Sequence, residues 1–213
     1  MTPPSVTELF LDTADVVLAA ISEPEVASAW RAGCALEEQT IGGLAAHLAR
    51  GGVWAVGDYL DSGVPDRPIT YDSAGEYHAE LVSVADAEMH RAIRDRGATI
   101  AADGHGAVVA MLTTRLAGLR TQLGALPGDH RVAVIGGVVL RLDDYLTTRL
   151  VEQVVHLDDL ARSLGREPWA VHPEAMQLVL DVALEIGTRL HSSTAMLRAF
   201  YRNGYATAAL PVL

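Results

Sequence analysis

The chain has 213 residues, half of them hydrophobic, with a formal net charge of −11 at pH 7 and a single cysteine. This acidic balance, with no Lys/Arg cluster and no basic stripe interleaved with aromatic residues, argues against nucleic acid and anionic membrane as partners. No uncharged apolar run approaches the ~18 residues of a membrane span. Met1 to Pro4 lack the basic and apolar regions of a secretory signal, so a cytoplasmic protein with a small-molecule partner is expected. Cys34 alone excludes an internal disulfide and an all-thiolate zinc site. With no His or basic neighbour in sequence to lower its pKa, it reads as an inert side chain.

The first predicted helix spans Val6 to Ile21, with apolar residues three and four apart after a Ser5 cap. An irregular stretch follows, with a short helical turn around Glu25 to Trp30. Thr40 caps a second helix reaching Leu60, weakened by Gly42, Gly43, Gly51 and Gly52. Those glycines also let another backbone come close, and His47 lies on the inward stripe with Leu44 and Leu48. Ser62 to Asp72 is a linker. A third helix is predicted from Ser73 to Arg96, with Tyr77, Leu81, Val84 and Ile93 inward. Gly97 to Gly106 reads as a loop or broken helix carrying His105. A fourth helix runs from Ala107 to Leu126, its Met111 and Leu stripe in the core.

Arg131 to Leu142 departs from helix. Two β-branched runs joined by Gly136-Gly137 predict a two-residue β-hairpin that leans on the helices near the mouth of any site there. A long helix follows from Asp143 to Leu164, then a connection at Gly165, Pro168 and Trp169. Another helix runs from Pro173 to His191 with His172 before it, and a short one from Ser193 to Arg202 precedes the tail from Gly204 to Leu213. His130, His172 and His191 fall at element ends, where capping or solvent contact suits them.

The Asp143 to Leu164 helix carries the chemistry. Residues four apart share a helix face, so Glu152 and His156 address one point, with Arg149 and Tyr145 on the same stripe. Aliphatic residues flank Glu152, and a carboxylate at the edge of a core needs a partner, of which a cation is one kind. A carboxylate and an imidazole leave a divalent ion under-coordinated, so a third ligand must come from another helix, and His47 is the candidate. The same spacing also describes an ordinary exposed pair, and an inward histidine is also a common core residue. Asp86 and His90 repeat the spacing as an internal comparison, but among Glu88, Arg91, Arg94 and Asp95 they read as a solvated face. Arg149 is the candidate for binding an anionic substrate; an ion pair with Asp159 or a helix neighbour is the competing role.

The segment from Thr40 to Ala49, with His47, and the segment from Arg149 to Ala161, with Glu152 and His156, resemble the mycothiol-dependent maleylpyruvate isomerase N-terminal family of the DinB-like superfamily. That resemblance covers roughly Val6 to Leu164. It implies an all-α DinB-like four-helix bundle (residues 1–164), here with a small β-hairpin and extra C-terminal helices packed on it as an extension (residues 165–213). It also implies a divalent ion, zinc before nickel, iron or manganese, held by His47, Glu152 and His156, with mycothiol as thiol cosubstrate. The function implied is thiol-dependent isomerisation or S-transfer on a small electrophile. Full maleylpyruvate isomerases carry a further C-terminal α/β domain, whereas this chain continues as helices. A non-catalytic metal-binding or homodimerisation module and a metal-assisted hydrolase are the alternatives.

Overall fold

The computed structural model describes residues 3–84 and 86–204. A four-helix bundle is built from α1 (Val6–Ser22), α3 (Ile41–Ala49) with its continuation α4 (Ala55–Leu60), α7 (His105–Leu123) and α8 (Leu142–Leu164). A short helix α2 (Pro24–Ser28) follows α1. The bundle core is the expected apolar stripe of each helix. Phe10, Val17 and Ile21 meet Leu44 and Leu48, Leu112, Leu119 and Leu123, and Leu142, Leu146 and Leu157. Fully burying each such side chain contributes roughly 1.5–3 kcal/mol, so this stripe outweighs the glycine losses in α3.

The helix ends follow their side chains. Ser5 and Glu8 form a reciprocal capping box at α1, and the Thr40 hydroxyl accepts from the Gly43 amide at 3.0 Å to start α3. Pro173 begins α9 (Pro173–Leu190) with His172 as its capping acceptor, and Gly165 ends α8 at φ 65. The predicted third helix is two. α5 (Ala74–Val84) stops, and α6 (Ala87–Ala101) restarts where the Asp86 carboxylate accepts from the Met89 amide at 2.8 Å. A carboxylate that competes for backbone amides favours a helix start over a helix interior, which the apolar periodicity could not register. Val84 is exposed rather than inward, as is Met111 on α7. Asp86 and His90 are both exposed, as a solvated face requires.

Gly97 does not break its helix. A Cβ there would lie 2.8 Å from the Gly43 carbonyl oxygen, so two glycines allow α6 to lie directly on α3. The hairpin forms with Arg131 paired to Arg141 and Ala133 to Val139, in strands β1 (Arg131–Ala133) and β2 (Val139–Arg141). Its turn is longer than two residues: the Val134 amide still donates to the Val138 carbonyl at 2.8 Å, and Gly136 and Gly137 take φ 71 and 75. On the outer edge of β2, Thr70 exchanges bonds with Val139, which ties the linker to the hairpin. α9 covers the opposite side of α8, where Ala175, Val179, Val182 and Ile186 pack with Leu150, Val151 and Val154. A last helix, α10 (Ser193–Tyr201), follows, and the predicted tail beyond Gly204 lies outside the described residues. No helix among the described residues is long and apolar enough to cross a membrane.

Gly97→Ala is expected to lower unfolding stability by about 1–3 kcal/mol, because its Cβ meets backbone that cannot yield. Gly118→Ala, on the open face of α7 with nothing within 4 Å, is expected to raise stability by about 0.4–1 kcal/mol. Urea denaturation of both variants measures the contrast; equal effects would show that α3 and α6 are not in close contact.

Candidate metal centre

α3 and α8 run side by side at the site, and the chain between α3 and α4 is what lets them approach. Residues Arg50–Trp54 form a single π-helical segment, a wide turn that offers backbone groups outward. The Gly51 carbonyl accepts from the Arg149 guanidinium at 3.1 Å, and the Gly52 carbonyl from the Gln153 amide at 2.9 Å. A Cβ at either glycine would press on its neighbours. A Cβ at Gly51 would stand 3.3 Å from His47 Cε1 and 3.8 Å from a Glu152 carboxylate oxygen, and one at Gly52 3.2 Å from Gln153 Cγ. The predicted single helix from Thr40 to Leu60 is therefore interrupted where it meets α8.

Across this seam His47, Glu152 and His156 converge. His47 Nε2 lies 3.3 Å, and His156 Nε2 3.5 Å, from the same Glu152 oxygen. The two imidazole rings cross at 79° with centroids 4.9 Å apart. One ligand atom from each residue falls within 4.8 Å of the other two, and this is the one such His/Cys/Asp/Glu group among the described residues that could hold a metal ion. Tetrahedral ligands at about 2.1 Å from a zinc-sized ion stand roughly 3.4 Å apart, so the two oxygen–nitrogen distances suit an ion of that kind. The donor set of two imidazoles and one carboxylate also leaves a position open.

Behind these three side chains lies a supporting network. His156 Nδ1 donates to Asp159 at 3.0 Å, which leaves Nε2 to face Glu152. Asp159 is buried and receives Arg162 on its other oxygen, and its backbone carbonyl accepts from Ser163, whose hydroxyl holds the Ala35 amide. Asp159 is therefore the partner of His156 and Arg162, and Arg149 does not pair with it. Arg149 bonds Gly51 and Thr148 instead and lies over the Tyr145 ring at 5.4 Å.

Charge in this enclosed place is tightly coupled. Burial alone would raise the Glu152 pKa, but hydrogen bonds from His156 and His47 and the Arg149 charge hold it well below the usual carboxylate range. Burial opposes the His156 charge, yet bonds to Asp159 and Glu152 raise its pKa to about 9. Burial likewise works against the Arg149 cation, and Glu152 more than restores it. Nearby His78, fully enclosed, is pushed by burial and by Arg149 down to about 4 and is neutral near pH 7.

His47 and Glu152 open on a cavity of about 310 Å³ between the α3–α8 seam, α6 and the hairpin turn at Val134 and Ile135. Its walls join apolar side chains such as Leu81, Ile93 and Ile100 to Tyr59, Tyr77 and Tyr145 and to Arg50, Arg96 and Arg149. Arg50, Arg96 and Tyr59 had no assigned role in the sequence, and Tyr77 was expected only to face inward; Arg96 reaches the same cavity because the glycines let α6 lie on α3. Cys34 takes no part in the cavity. It donates to the Leu36 carbonyl, and burial raises its pKa, as befits an inert thiol.

A helical bundle with a His, Glu and His cluster that could hold a metal ion at the edge of its core, beside a mixed polar and apolar cavity, belongs to the class of DinB-like metal-binding domains. The family model of the mycothiol maleylpyruvate isomerase N-terminal domain matches residues 6–161, and the chain belongs to that family. No curated protein and no solved structure matched the chain.

The metal-free network makes a pH prediction. The raised His156 pKa, about 9 against roughly 6.5 in an unfolded chain, contributes stability that is fully present below pH 6.5 and lost as pH rises through 9. Asp159→Asn removes the hydrogen-bonded carboxylate behind that shift. Its destabilisation of chelator-treated protein is therefore expected to be larger at pH 6 than at pH 9.5, read by thermal unfolding. An equal loss at both values would mean that Asp159 does not hold a His156 proton.

Proposed function

We propose that the chain is a metal-dependent enzyme that takes an external low-molecular-weight thiol, mycothiol, to isomerise or S-conjugate a small electrophile. The observation that carries this is the convergence of His47, Glu152 and His156, from two helices, beside a cavity large enough for a small substrate and lined by His47 and Glu152. These three side chains would hold the ion; zinc suits them, and nickel, iron and manganese also accept two nitrogens and a carboxylate. When bound, the ion would supply Lewis acidity and lower the pKa of a thiol at its open position.

The chain's own residues supply the rest. Asp159 keeps the His156 ring turned toward Glu152 and holds the proton at Nδ1. Arg149, fixed by Gly51 and Thr148, presents positive charge to an anionic part of the electrophile. The apolar wall of Leu81, Ile93 and Ile100 limits water around the reacting groups. The nucleophile is external, because Cys34 does not line the cavity and burial keeps its thiol protonated. Polar groups in the cavity favour catalysis over a non-catalytic binding or dimerisation module, whose chamber would need none. The described part of the proposed C-terminal extension, residues 165–204, adds helices α9 and α10 to the bundle.

The test is a rate assay of zinc-loaded protein with cis-alkene acids and alkylating electrophiles, with and without mycothiol. Turnover is expected only with both metal and thiol. Glu152→Gln should lower it more than about a hundredfold, the scale of losing several kcal/mol of Lewis-acid stabilisation, while Cys34→Ser leaves it unchanged. Turnover without thiol would indicate hydrolysis instead, and loss of activity in folded Cys34→Ser would make the protein thiol the nucleophile.

A further inference from the structure

The cavity carries a charge pattern that the candidate metal ligands do not explain. In a chain of net charge −11, it is lined by Arg50, Arg96 and Arg149 against a single carboxylate, Glu152. Glu152 is engaged by both histidines. Arg50 and Arg96 make no ion pair with any described residue, although Arg50 is half-buried. A partly desolvated cation without a counter-charge is relieved by an anion entering beside it.

Tyr145 supplies a second, independent observation. It lines the same cavity, is 2% exposed, and its hydroxyl has no hydrogen-bond partner among the described residues. Buried hydroxyls are nearly always satisfied, so an orphan at a cavity wall marks a place where a ligand atom completes the structure. The hydroxyl is shielded from water, and the space that Tyr145 lines is this cavity. The ring is also held in place: Tyr59 meets it edge-on at 5.8 Å, and the Arg149 guanidinium lies 5.4 Å from its centroid. A fixed neutral donor beside a fixed cation is a suitable arrangement for an oxygen that bears negative charge.

We propose that Tyr145 contacts the substrate directly, its hydroxyl donating a hydrogen bond to a substrate oxygen that carries or gains negative charge, with Arg149 and Arg50 as counter-charges. This rests on the cavity being the substrate site of the proposed function, and it narrows the electrophile to one whose reactive carbon is conjugated to such an oxygen. Tyr145 is thereby a specificity-determining residue that the ligand cluster alone would not provide.

The test uses cinnamate, a conjugated carboxylate that the cavity can admit, and its neutral counterpart cinnamamide, titrated by calorimetry into zinc-loaded and chelator-treated protein. Wild type is expected to bind cinnamate at least about tenfold tighter than cinnamamide, the scale of one charge-assisted hydrogen bond. Tyr145→Phe should lose about tenfold in cinnamate affinity with zinc uptake and melting temperature unchanged, and Arg149→Met should abolish the preference for the carboxylate. The effect of Tyr145→Phe should persist in chelator-treated protein, so a protein that takes up no zinc but still shows it would refute the metal reading and leave Tyr145 in place. Unchanged cinnamate binding in Tyr145→Phe, equal binding of acid and amide by wild type, or no cinnamate binding at all would overturn the assignment.

Discussion

The Glu152 carboxylate stands at the edge of an aliphatic core and stays ionised there, and much of the surrounding structure is arranged to permit it. Leu150, Val151 and Val154 on its own helix belong to the packed interior between α8 and α9. A lone carboxylate in such a place would take up a proton rather than bear the desolvation cost. Here His47, His156 and Arg149 surround it, and each is fixed by something else: His156 by Asp159, Arg149 by the Gly51 carbonyl, His47 by its place on α3. A buried charge cluster of this kind adds little to stability by itself, because desolvation consumes most of the attraction. Its persistence is better accounted for by what it can bind.

Backbone proximity is the means by which the cluster is assembled. The two histidines and the glutamate come from α3 and α8, and these helices meet closely only because Gly51 and Gly52 occupy a π-helical turn with no side chain in the way. One step further out, Gly43 and Gly97 bring α6 onto α3, and α6 supplies the far wall of the cavity. Four glycines that weaken a helix in isolation thus specify two helix contacts, and the site lies between them. The cost to helix propensity, up to about 1 kcal/mol each, is set against the apolar burial around them, such as that of Leu44 and Leu48 beside Gly43 on α3.

Much of this was legible in the sequence, for reasons that differ by element. Helices such as α1, α7 and α9 declare themselves by apolar spacing and by Ser5, Pro173 and the capping residues, which act locally. The Glu152 and His156 pair was legible because spacing of four on one helix fixes a shared face. His47 was nameable as its partner through the family resemblance, with spacing alone leaving it an ordinary inward histidine. The break at Asp86 was missed because a capping carboxylate and a surface carboxylate look alike until the backbone is seen. Gly97 was misread as a breaker because its neighbour, the Gly43 carbonyl, is remote in sequence. The Arg149–Asp159 ion pair offered as a competing role does not form, because ten residues along α8 put the two about 15 Å apart; Asp159 pairs with His156 and Arg162, three residues away on either side, and Arg149 turns to the Gly51 carbonyl.

The central claim is that these three side chains form one metal centre. It is tested most directly by the metal content of untagged protein purified without added metal, wild type beside His47→Ala. About one ion per chain in wild type, absent from a folded His47→Ala, is the predicted result. Wild type without an ion that also takes up none on addition of zinc, or a variant that retains the ion, would contradict it.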